Sequence, residues 1–506
     1  MISLADYSAH DATSLGELVH AGAINPAEVA DAARRSVEQL NPLLNAVLEV
    51  FDDRLGDSAS DGLGDGPFRG VPFFMKDLGS GVAGRLQEQG VPAFVGYRTD
   101  VDPPLTTNFR ASGVNIIGRS AVPPMGWTID TTSPLHGITR SPWNLQHSPG
   151  GSSGGSAALV SAGIAPISLA SDGAGSLRIP AAFTGLVGLI GTRGRIPTPV
   201  INEYGMHVGR EGILSRTVRD TATMLDYMSR HRPGDSFIPI IPPTQPYRSC
   251  IEHDPPSLRI GLAVGQWGRR TPCDPEIVAA VRTYAALLVD MDHLIVEIND
   301  DDIVNWDHFW TVFSRGSWVG GLNVGDMVEE MGCVPDPDSL SYQLWASHEL
   351  SKNITAAEVK SHAMANQSFN RSVATLFERI DVLLTPTTAI LPPIAGGRYS
   401  ALRETDGQEW LDDLFDAIPY TPLGNETGIP AISLPVGLSQ TGLPIGAQLY
   451  APWANEETLL SLAAATERNM PQWFNTHPPI HVGAANLPTA SEFAKPSSPP
   501  PRSVRR

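Results

Sequence analysis

The sequence contains few of the residues that build disulfide frameworks, metal sites or membrane spans. Its 506 residues include only three cysteines, an odd number without metal-site spacing, so no disulfide framework is expected and a reducing compartment is favoured. No uninterrupted apolar run approaches the roughly 20 residues that cross a bilayer, and the first residues lack the basic and apolar segments of a signal peptide. We therefore predict a cytoplasmic protein with no membrane association and no metal site.

Positive charge is scarce as well. The chain carries 35 lysines and arginines against 54 aspartates and glutamates, which gives a formal net charge of −19. Nucleic acids and anionic membranes bind broad cationic surfaces, so neither is expected as a partner. The charge places no limit on a small-molecule substrate.

The remaining composition is typical of a globular α/β protein. Hydrophobic residues make up 42% of the chain, and short apolar runs alternate with segments of helical periodicity. This alternation predicts a sheet covered by helices on both faces. Predicted strands cover residues 71–75, 114–118, 165–170, 380–387 and 431–436, and predicted helices cover residues 12–50 and 157–165.

We predict one domain over residues 1–480. Within it, residues 230–375 have helical periodicity but no recognisable chemical motif, and we expect a variable helical region there. Residues 485–506 are rich in proline and serine and end in basic residues, a composition that predicts a disordered tail.

A glycine-rich stretch, residues 148–156, leads directly into the helix predicted at 157–165. Four glycines surround Ser152 and Ser153, so the backbone can adopt conformations that other residues resist. Three interpretations remain open: a phosphate loop, a flexible linker, or a nucleophile elbow of the G-x-S-x-G type with Ser153 at its centre. The phosphate loop is disfavoured because no lysine follows the last glycine.

A second turn of small residues precedes Ser176. Residues 173–175 are Gly, Ala and Gly, so successive backbone N–H groups can point at one spot, as an oxyanion hole requires. Asp172 and Arg178 flank the turn with opposite charges, and we expect them to brace it. The alternative is a plain turn between a strand and a loop.

Lys76 ends the apolar strand predicted at 71–75. An ammonium group in that position would be partly desolvated, which lowers its pKa and makes the lysine a candidate base at neutral pH. The alternative is an ordinary surface lysine. A single lysine after a strand is usually a surface residue, so this residue alone favours the second interpretation.

Taken together, Lys76, the paired serines and the turn before Ser176 resemble the amidase signature family in their order and spacing. The resemblance continues through residues 425–435 and 442–449, and it leaves residues 230–375 unmatched. The segments around Lys76 and Ser176 are most similar to the cyclic-amide branch, which includes the 6-aminohexanoate cyclic dimer hydrolases. The resemblance implies an α/β fold with a central, twisted, mixed β-sheet covered by helices on both faces.

The resemblance also implies a role for each residue of these motifs. Lys76 would be the base, Ser152 a bridging serine on a cis peptide bond, and Ser176 the nucleophile. The remaining implied roles are an oxyanion hole formed by the amides of Gly173, Ala174, Gly175 and Ser176, substrate contacts at Gly126 and Gly151, and structural support from Ser153, Asp172 and Arg178.

The implied reaction is hydrolysis of a carbon–nitrogen amide bond of a small molecule. An acyl-enzyme on Ser176 would form and then give a carboxylic acid and ammonia or an amine. No cofactor is implied, and a homodimer is compatible with the pattern. Three alternatives stay open: a glutaminase-like amidotransferase subunit that depends on a partner, an acyltransferase with an amine or alcohol acceptor, and a binding scaffold without catalysis. The particular amide is not predicted.

Other residues have two interpretations. Pro124 and Met125 stand before Gly126 in place of an acidic residue, which predicts a less polar ligand. Three histidines are candidates for a Ser-His-Asp triad but are more readily interpreted as structural: His136, His147 and His207. Five tryptophans either line an apolar pocket or, as we expect, pack in the core: Trp127, Trp143, Trp306, Trp310 and Trp318.

Overall fold

The structure is a computed structural model, and it describes residues 2–197, 209–231 and 240–488, except residues 241, 244, 331, 333–335, 338 and 485. Of residues 57, 58 and 318–323 only the backbone is described. His207, the side chain of Trp318 and all of the predicted tail except residues 486–488 therefore lie outside the described residues.

The chain alternates strands and helices along most of its length. The strands are β1 (Val47–Val50), β2 (Pro72–Lys76), β3 (Asn115–Ser120), β4 (Thr132–Ser133), β5 (Gly137–Ile138), β6 (Ile167–Asp172), β7 (Val187–Ile190), β8 (Arg210–Ser215), β9 (Arg259–Leu262), β10 (Leu294–Glu297), β11 (Val382–Pro386), β12 (Ala431–Leu438) and β13 (Pro444–Tyr450).

The helices are α1 (Leu4–Ala9), α2 (Ala12–His20), α3 (Pro26–Leu44), α4 (Pro104–Ala111), α5 (Gly154–Ser161), α6 (Arg178–Thr184), α7 (Val218–Met228), α8 (Tyr247–Cys250), α9 (Pro275–Asp290), α10 (Trp306–Glu330), α11 (Tyr342–Ser351), α12 (Ala356–Arg379), α13 (Gly407–Ala417), α14 (Pro422–Thr427), α15 (Glu456–Asn469) and α16 (Pro471–Phe474). Short 3₁₀ turns include Pro92–Phe94 and Pro124–Gly126. None of the helices in the described residues has both the length and the apolar character needed to cross a bilayer.

Eleven of the strands form one mixed sheet in the order β1-β3-β2-β6-β8-β7-β12-β13-β11-β9-β10. Strands β3, β2 and β6 run parallel, β6 and β8 are antiparallel, and β9 runs parallel to both β10 and β11. Every residue of β2 is buried, as expected for a strand covered on both faces. The predicted α/β class with a central mixed sheet is confirmed.

Close backbone contact places helix α5 against the end of β3. Gly155, in the first turn of α5, approaches Ala121 so closely that a Cβ atom would lie 2.3 Å from the Ala121 nitrogen. The residues of α5 are all buried. Small residues in this stretch therefore let the helix pass against the backbone of β3, and this holds Ser152 and Ser153 just before its first turn.

The five predicted strands are all present, with ends that differ by a few residues. The helices predicted over 12–50 are present as α2 and α3, but the predicted C-terminal end is wrong, because α3 stops at Leu44 and Asn45 takes a left-handed conformation with φ of 49°. The next residues form β1, which pairs antiparallel with β3. The β-branched Val47 and Val50 suit a strand better than a helix.

The middle of the chain contains strands as well as helices. Helices α8 to α11 and most of α12 lie within residues 230–375, and so do β9 and β10, which extend the main sheet next to β11. Ile260 and Leu262 of β9 are buried in the main core, which explains why this short apolar segment pairs as a strand. The single domain over residues 1–480 stays a prediction.

Two hydrophobic clusters are present in the described residues. The larger one spans the main sheet and its helices. The smaller one, which we call the satellite cluster, joins the 3₁₀ turn at residues 92–94 to α10 and α11. It consists of Val91, Phe94, Val324, Met327, Val328, Leu340 and Leu344. Trp127 packs against both clusters.

Candidate active site

The candidate site lies where strands β2 and β6 end. These strands are parallel neighbours, so their carboxyl ends meet at one edge of the sheet, where open α/β sheets commonly bind ligands. Lys76 is the last residue of β2, and Asp172 is the last residue of β6. The turn before Ser176 follows β6 directly. The sheet therefore brings two of the three predicted motifs to the same edge.

Lys76 is held inside a group of serine hydroxyls. Its Nζ atom lies 2.7 Å from Ser152 Oγ, 2.9 Å from Ser153 Oγ and 2.7 Å from Ser171 Oγ. Only 1% of the lysine is exposed to solvent, so the surface-lysine interpretation is wrong. Ser171 was not among the predicted site residues, although it stands next to Asp172 in the same motif.

Burial changes the protonation of this lysine. Removal from water lowers the pKa of Lys76 to about 7, although the negative charges of Asp172 and Glu211 oppose the shift. A lysine with that pKa is partly neutral at neutral pH and can accept a proton. The arrangement therefore provides a base within hydrogen-bond distance of a serine hydroxyl.

The two adjacent serines differ in their hydrogen bonds. Ser153 Oγ donates to the Ser171 carbonyl at 3.2 Å and accepts from the Ser171 N–H at 3.2 Å, in addition to its contact with Lys76. Its proton is therefore already engaged. Ser152 follows a cis peptide bond after Gly151, and its hydroxyl faces Lys76. Of the two, Ser152 has the hydroxyl proton that is free for a relay.

The turn before Ser176 is hydrogen-bonded to a buried ion pair, which Asp172 and Arg178 form. The Asp172 carboxylate accepts from Arg178 Nε at 2.9 Å and Nη2 at 3.0 Å, and also from the Gly175 N–H at 2.7 Å. Burial alone would raise the pKa of Asp172, but the Arg178 guanidinium lowers it to about 2. Because its N–H is engaged, Gly175 is not an available oxyanion donor, and that part of the prediction is revised.

Helix α14 and the residue before it hold the same turn from the other side. Thr421 Oγ1 donates to the Ala174 carbonyl at 2.6 Å, and Asn425 Nδ2 donates to the Asp172 carbonyl at 2.8 Å. Arg178 Nη2 donates to Asn425 Oδ1 at 2.6 Å. Sequence reasoning missed Thr421, and it noted Asn425 only as part of a matching block. The available signal was an asparagine at the start of the matching block 425–435, and only the structure shows that it is fully buried.

The two glycines predicted to contact substrate have different surroundings. Gly126, with φ of 74°, is so close to Ser152 that an added Cβ would lie 2.9 Å from its Oγ and 2.7 Å from Leu78 Cδ2. Gly151 packs against backbone instead, with an added Cβ only 2.4 Å from the Thr128 carbonyl oxygen. Gly126 therefore borders the serine hydroxyl, whereas the Cβ face of Gly151 is closed by protein.

The side chains around Gly126 are apolar. Met125 and Trp127 are half-buried, and Trp127 stacks on Trp410 with ring centroids 6.0 Å apart. The other described tryptophans pack elsewhere: Trp143 donates to the Thr184 carbonyl at 2.8 Å. Trp306 and Trp310 belong to the main core. The core interpretation holds for Trp306 and Trp310, whereas Trp143 is half-buried and belongs to neither hydrophobic cluster.

The histidine alternative has no support in the described part of the chain. His147 Nδ1 lies 2.7 Å from the Pro392 carbonyl oxygen, and His136 Nε2 lies 4.0 Å from Glu88 Oε2. Neither is hydrogen-bonded to Ser152 or Ser176, and Lys76 occupies the position of the base.

Comparison with known families agrees with this geometry. The family described as Amidase matches residues 28–460. The chain therefore belongs to the amidase signature family and is a hydrolase of amide bonds. The predicted family and enzyme class are confirmed.

Similar proteins include enzymes that act on a cyclic amide. The chain is 34% identical over 499 residues to the 6-aminohexanoate-cyclic-dimer hydrolase of Paenarthrobacter ureafaciens, covering 95% of this chain and 98% of the relative. It is 32% identical over 500 residues to the hydrolase of the same name from Pseudomonas sp. (strain NK87), with the same two coverages.

Solved structures show the same fold. A structure of 6-aminohexanoate cyclic dimer hydrolase matches with a TM-score of 0.86 and 31% identity, covering 95% of this chain and 100% of that chain. A bacterial aryl acylamidase of the amidase signature family matches with a TM-score of 0.79 and 24% identity, covering 94% of this chain and 98% of that one. The second likeness concerns the fold alone.

Proposed function

We propose that Lys76, Ser152 and Ser176 hydrolyse the amide bond through an acyl-enzyme. The observation that carries the proposal is the 2.7 Å contact between Lys76 Nζ and Ser152 Oγ, buried beside the turn that bears Ser176. Backbone contact links the two motifs as well, because the Ser153 N–H donates to the Ser176 carbonyl at 3.1 Å. These two contacts support Lys76 as the base, Ser152 as the relay hydroxyl and Ser176 as the nucleophile.

In the proposed reaction, neutral Lys76 takes the proton of Ser152 while Ser152 takes the proton of Ser176. The Ser176 oxygen then forms a bond to the amide carbonyl carbon. When the carbon–nitrogen bond breaks, the same relay returns the proton to the leaving nitrogen, which departs as ammonia or an amine. Water attacks the acyl-enzyme by the same route and releases the carboxylic acid.

We propose that the oxyanion is bound by the backbone N–H groups of Gly173, Ala174 and Ser176. No residue in the described ranges accepts a hydrogen bond from these three groups, whereas the Gly175 N–H is engaged by Asp172. Loss of one such donor typically lowers the rate by about 10²–10³-fold. The supports of the turn from Asp172, Arg178 and Asn425 therefore matter to the rate through the positions of these amides.

We also propose that the substrate is a small amide with apolar surfaces next to the scissile bond. Half-buried Leu78, Met125 and Trp127 lie around Gly126, which borders Ser152. The relatives named above hydrolyse a cyclic amide, which supports lactams and cyclic oligoamides as the first class to test. Gly126 is the proposed contact residue.

A fluorophosphonate probe combined with a panel of amides tests this proposal. We expect the wild type to be labelled and to cleave cyclic or apolar linear amides, and Ser176→Ala to do neither. Ser153→Ala is the matched control, and it should still be labelled. Labelling of Ser176→Ala equal to that of the wild type would disprove the assignment of the nucleophile.

The same assay separates the alternatives. Product formation only with an added amine or alcohol would indicate acyl transfer, and amide turnover only with a partner subunit would indicate an amidotransferase. The predicted homodimer and the predicted cytoplasmic location stay predictions, and sedimentation of the same sample tests the first.

A further inference from the structure

A second buried carboxylate lies beside the site, on strand β8. Glu211 is only 5% exposed, and it pairs directly with Ser171 across the antiparallel β6–β8 ladder. Residues directly opposite in such a ladder have their side chains on the same face of the sheet. Because Ser171 Oγ touches Lys76 Nζ at 2.7 Å, Glu211 lies on the face that carries the lysine amine.

The Glu211 carboxylate is held under the loop that follows Lys76. Its Oε1 accepts from the Ser80 N–H and its Oε2 accepts from the Ser80 hydroxyl, both at 2.6 Å. Gly79, with φ of 93°, packs against it so closely that an added Cβ would lie 2.3 Å from Oε1. Both oxygens are therefore satisfied by neutral donors, and the carboxylate cannot move away from this loop.

The other charges near Lys76 are already paired. Asp172 is bound by both Arg178 nitrogens, and Asp77 is bound by Arg119 at 3.1 Å. In the described ranges, no lysine, arginine or histidine forms an ion pair with Glu211. An unpaired charge in the protein interior is strongly unfavourable, so a partner charge is expected nearby.

The neighbouring arginine does not supply that partner charge. Arg210 alternates with Glu211 along β8, and its guanidinium donates to the carbonyl oxygens of Gly191, Gly424 and Ile429. It acts electrostatically on Asp172, on the other face of the ladder. Lys76 is left as the group whose positive charge balances Glu211.

We propose that Glu211 is the counter-charge of Lys76, a positioning residue that stabilises the ammonium form when the lysine takes the proton of the serine relay. This inference rests on the proposed function, in which Lys76 is the base. The interaction acts through space between two buried groups, where Coulomb attraction is stronger than at the surface. The attraction between Glu211 and Lys76 is greatest when the lysine is charged, so it stabilises the transition state more than the resting state.

The protonation of the two groups agrees with this pairing. Burial lowers the pKa of Lys76, and Glu211 opposes that shift. Burial raises the pKa of Glu211 to about 7, while the Ser80 hydrogen bonds and the charge of Lys76 oppose the rise. The charge of each group therefore favours the ionised form of the other.

The rate of labelling by a fluorophosphonate, measured against pH, tests the inference without knowledge of the substrate. In the wild type we expect labelling to rise as Lys76 loses its proton. In Glu211→Gln the ammonium loses its counter-charge, so the acidic limb of the pH–rate profile should move to lower pH by about half a unit or more. The plateau rate should fall about 10-fold, less than the roughly 10²–10⁴-fold of general-base catalysis itself, because Glu211 acts only through the base. Glu211→Asp keeps the charge and should restore the wild-type limb.

Asp220→Asn is the matched control, because Asp220 is a fully buried carboxylate held by Thr13 and the Ala12 N–H, away from Lys76. It should lower the melting temperature without moving the limb. A Glu211→Gln variant with an unmoved limb would overturn the inference and leave Glu211 with a structural role. Should that variant fail to fold, Ser80→Ala provides the test. Loss of one hydrogen-bond donor to Glu211 should move the acidic limb of the pH–rate profile in the same direction by a smaller amount. An unmoved limb in Ser80→Ala would also overturn the inference.

Failure of the proposed function has a different signature. If Lys76→Met is labelled as fast as the wild type, Lys76 is not the base and the proposed mechanism fails. If Lys76→Met loses labelling but Glu211→Gln keeps the wild-type pH profile, only the counter-charge is wrong.

Discussion

Lys76 is buried, so its charged form is unfavourable, and its neutral form can act as the proposed base. Three serine hydroxyls surround its amine, and they can donate to a neutral amine or accept from an ammonium. The site therefore tolerates both protonation states, as a group that accepts and returns a proton requires. A lysine chosen for stability would instead extend its amine into water.

The protonation of Lys76 predicts a pH dependence of stability. The pKa of Lys76 is about 7 in the folded protein and 10.5 in its ordinary state, so the unfolded chain binds the extra proton between these values. The free energy of unfolding should therefore rise with pH across this window, by up to about 1.4 kcal/mol per pH unit from this group. Lys76→Met removes the effect, so its stability relative to the wild type should fall as pH rises.

Urea unfolding at several pH values between about 7 and 10 measures this difference. Lys360→Met is the control, because Lys360 is exposed on α12, and it should run parallel to the wild type. Parallel curves for Lys76→Met and the wild type would contradict the prediction.

The surroundings of Gly126 predict that a substitution there lowers activity by more than its effect on stability explains. In Gly126→Ala the new Cβ would press on Ser152 Oγ and Leu78, and displacement of a relay hydroxyl by about 1 Å can lower a rate about 10²-fold. Gly22→Ala is the matched control, since Gly22 has a similar φ of 68° and nothing within 4 Å. Both variants should lose stability through backbone strain, and only Gly126→Ala should lose labelling. Equal labelling of the two would contradict the proposed contact.

The local sequence pattern favours Ser153 of the serine pair, whereas the hydrogen bonds in the structure support Ser152 as the proposed relay residue. Ser153 is at the centre of the G-x-S-x-G pattern, yet its hydroxyl is engaged by the backbone of Ser171. That difference depends on the pairing of two segments distant in the chain. Only the resemblance to a known family favoured Ser152, because the local pattern contains no information about that contact.

Among the elements, helix α14 supports the candidate site although it has only six residues. Thr421, at its N-terminal end, and Asn425, within it, bind the turn that carries the proposed oxyanion donors. The helix is thus a support for the turn. We expect changes in α14 to lower the reaction rate more than their effect on the stability of the core would explain.

Thr421→Val tests this support. The change removes the hydrogen bond to the Ala174 carbonyl and should reduce stability by about 1 kcal/mol, while the labelling rate should fall about 10-fold if the turn loses its geometry. Thr427→Val is the matched control, because Thr427 is also buried and donates only within α14, to the Leu423 carbonyl at 2.7 Å. It should lose similar stability and keep the labelling rate. A similar loss of labelling in both variants would show that α14 acts through stability alone.

Five of the interior strands were predicted because they are continuous apolar runs, whereas β7, β8 and β13 are buried at every residue and were not predicted. β2 and β11 are buried at every residue, and a short apolar run bounded by turn residues indicates such a strand. β1 and β10 are only partly buried and lie at the two ends of the sheet. Their sequences lack the strong pattern, and their pairing depends on neighbours elsewhere in the chain.

The two hydrophobic clusters predict two levels of stability. The satellite cluster joins α10 and α11 to the turn around Phe94 and is separate from the main core. A buried Phe→Ala change costs about 3–5 kcal/mol, so Phe94→Ala should raise amide hydrogen exchange first in α11 and in the C-terminal part of α10, which carries Val324, Met327 and Val328. Phe73→Ala, in the main core, should instead lower the midpoint of global unfolding. Exchange that rises evenly over the chain in Phe94→Ala would contradict two separable units.

The order of Lys76, the serine pair and the glycine-containing turn is a property of the sequence, and it sufficed to identify the family. Residue type and local spacing are local quantities, so they can be read without a structure. The tertiary structure alone brought Glu211 beside Lys76, engaged the Gly175 N–H with Asp172, and placed Thr421 against Ala174. These relations depend on burial and on the order of strands β2, β6 and β8 in the sheet. Burial determines which charged groups are removed from water, and the strand order determines which groups lie next to them.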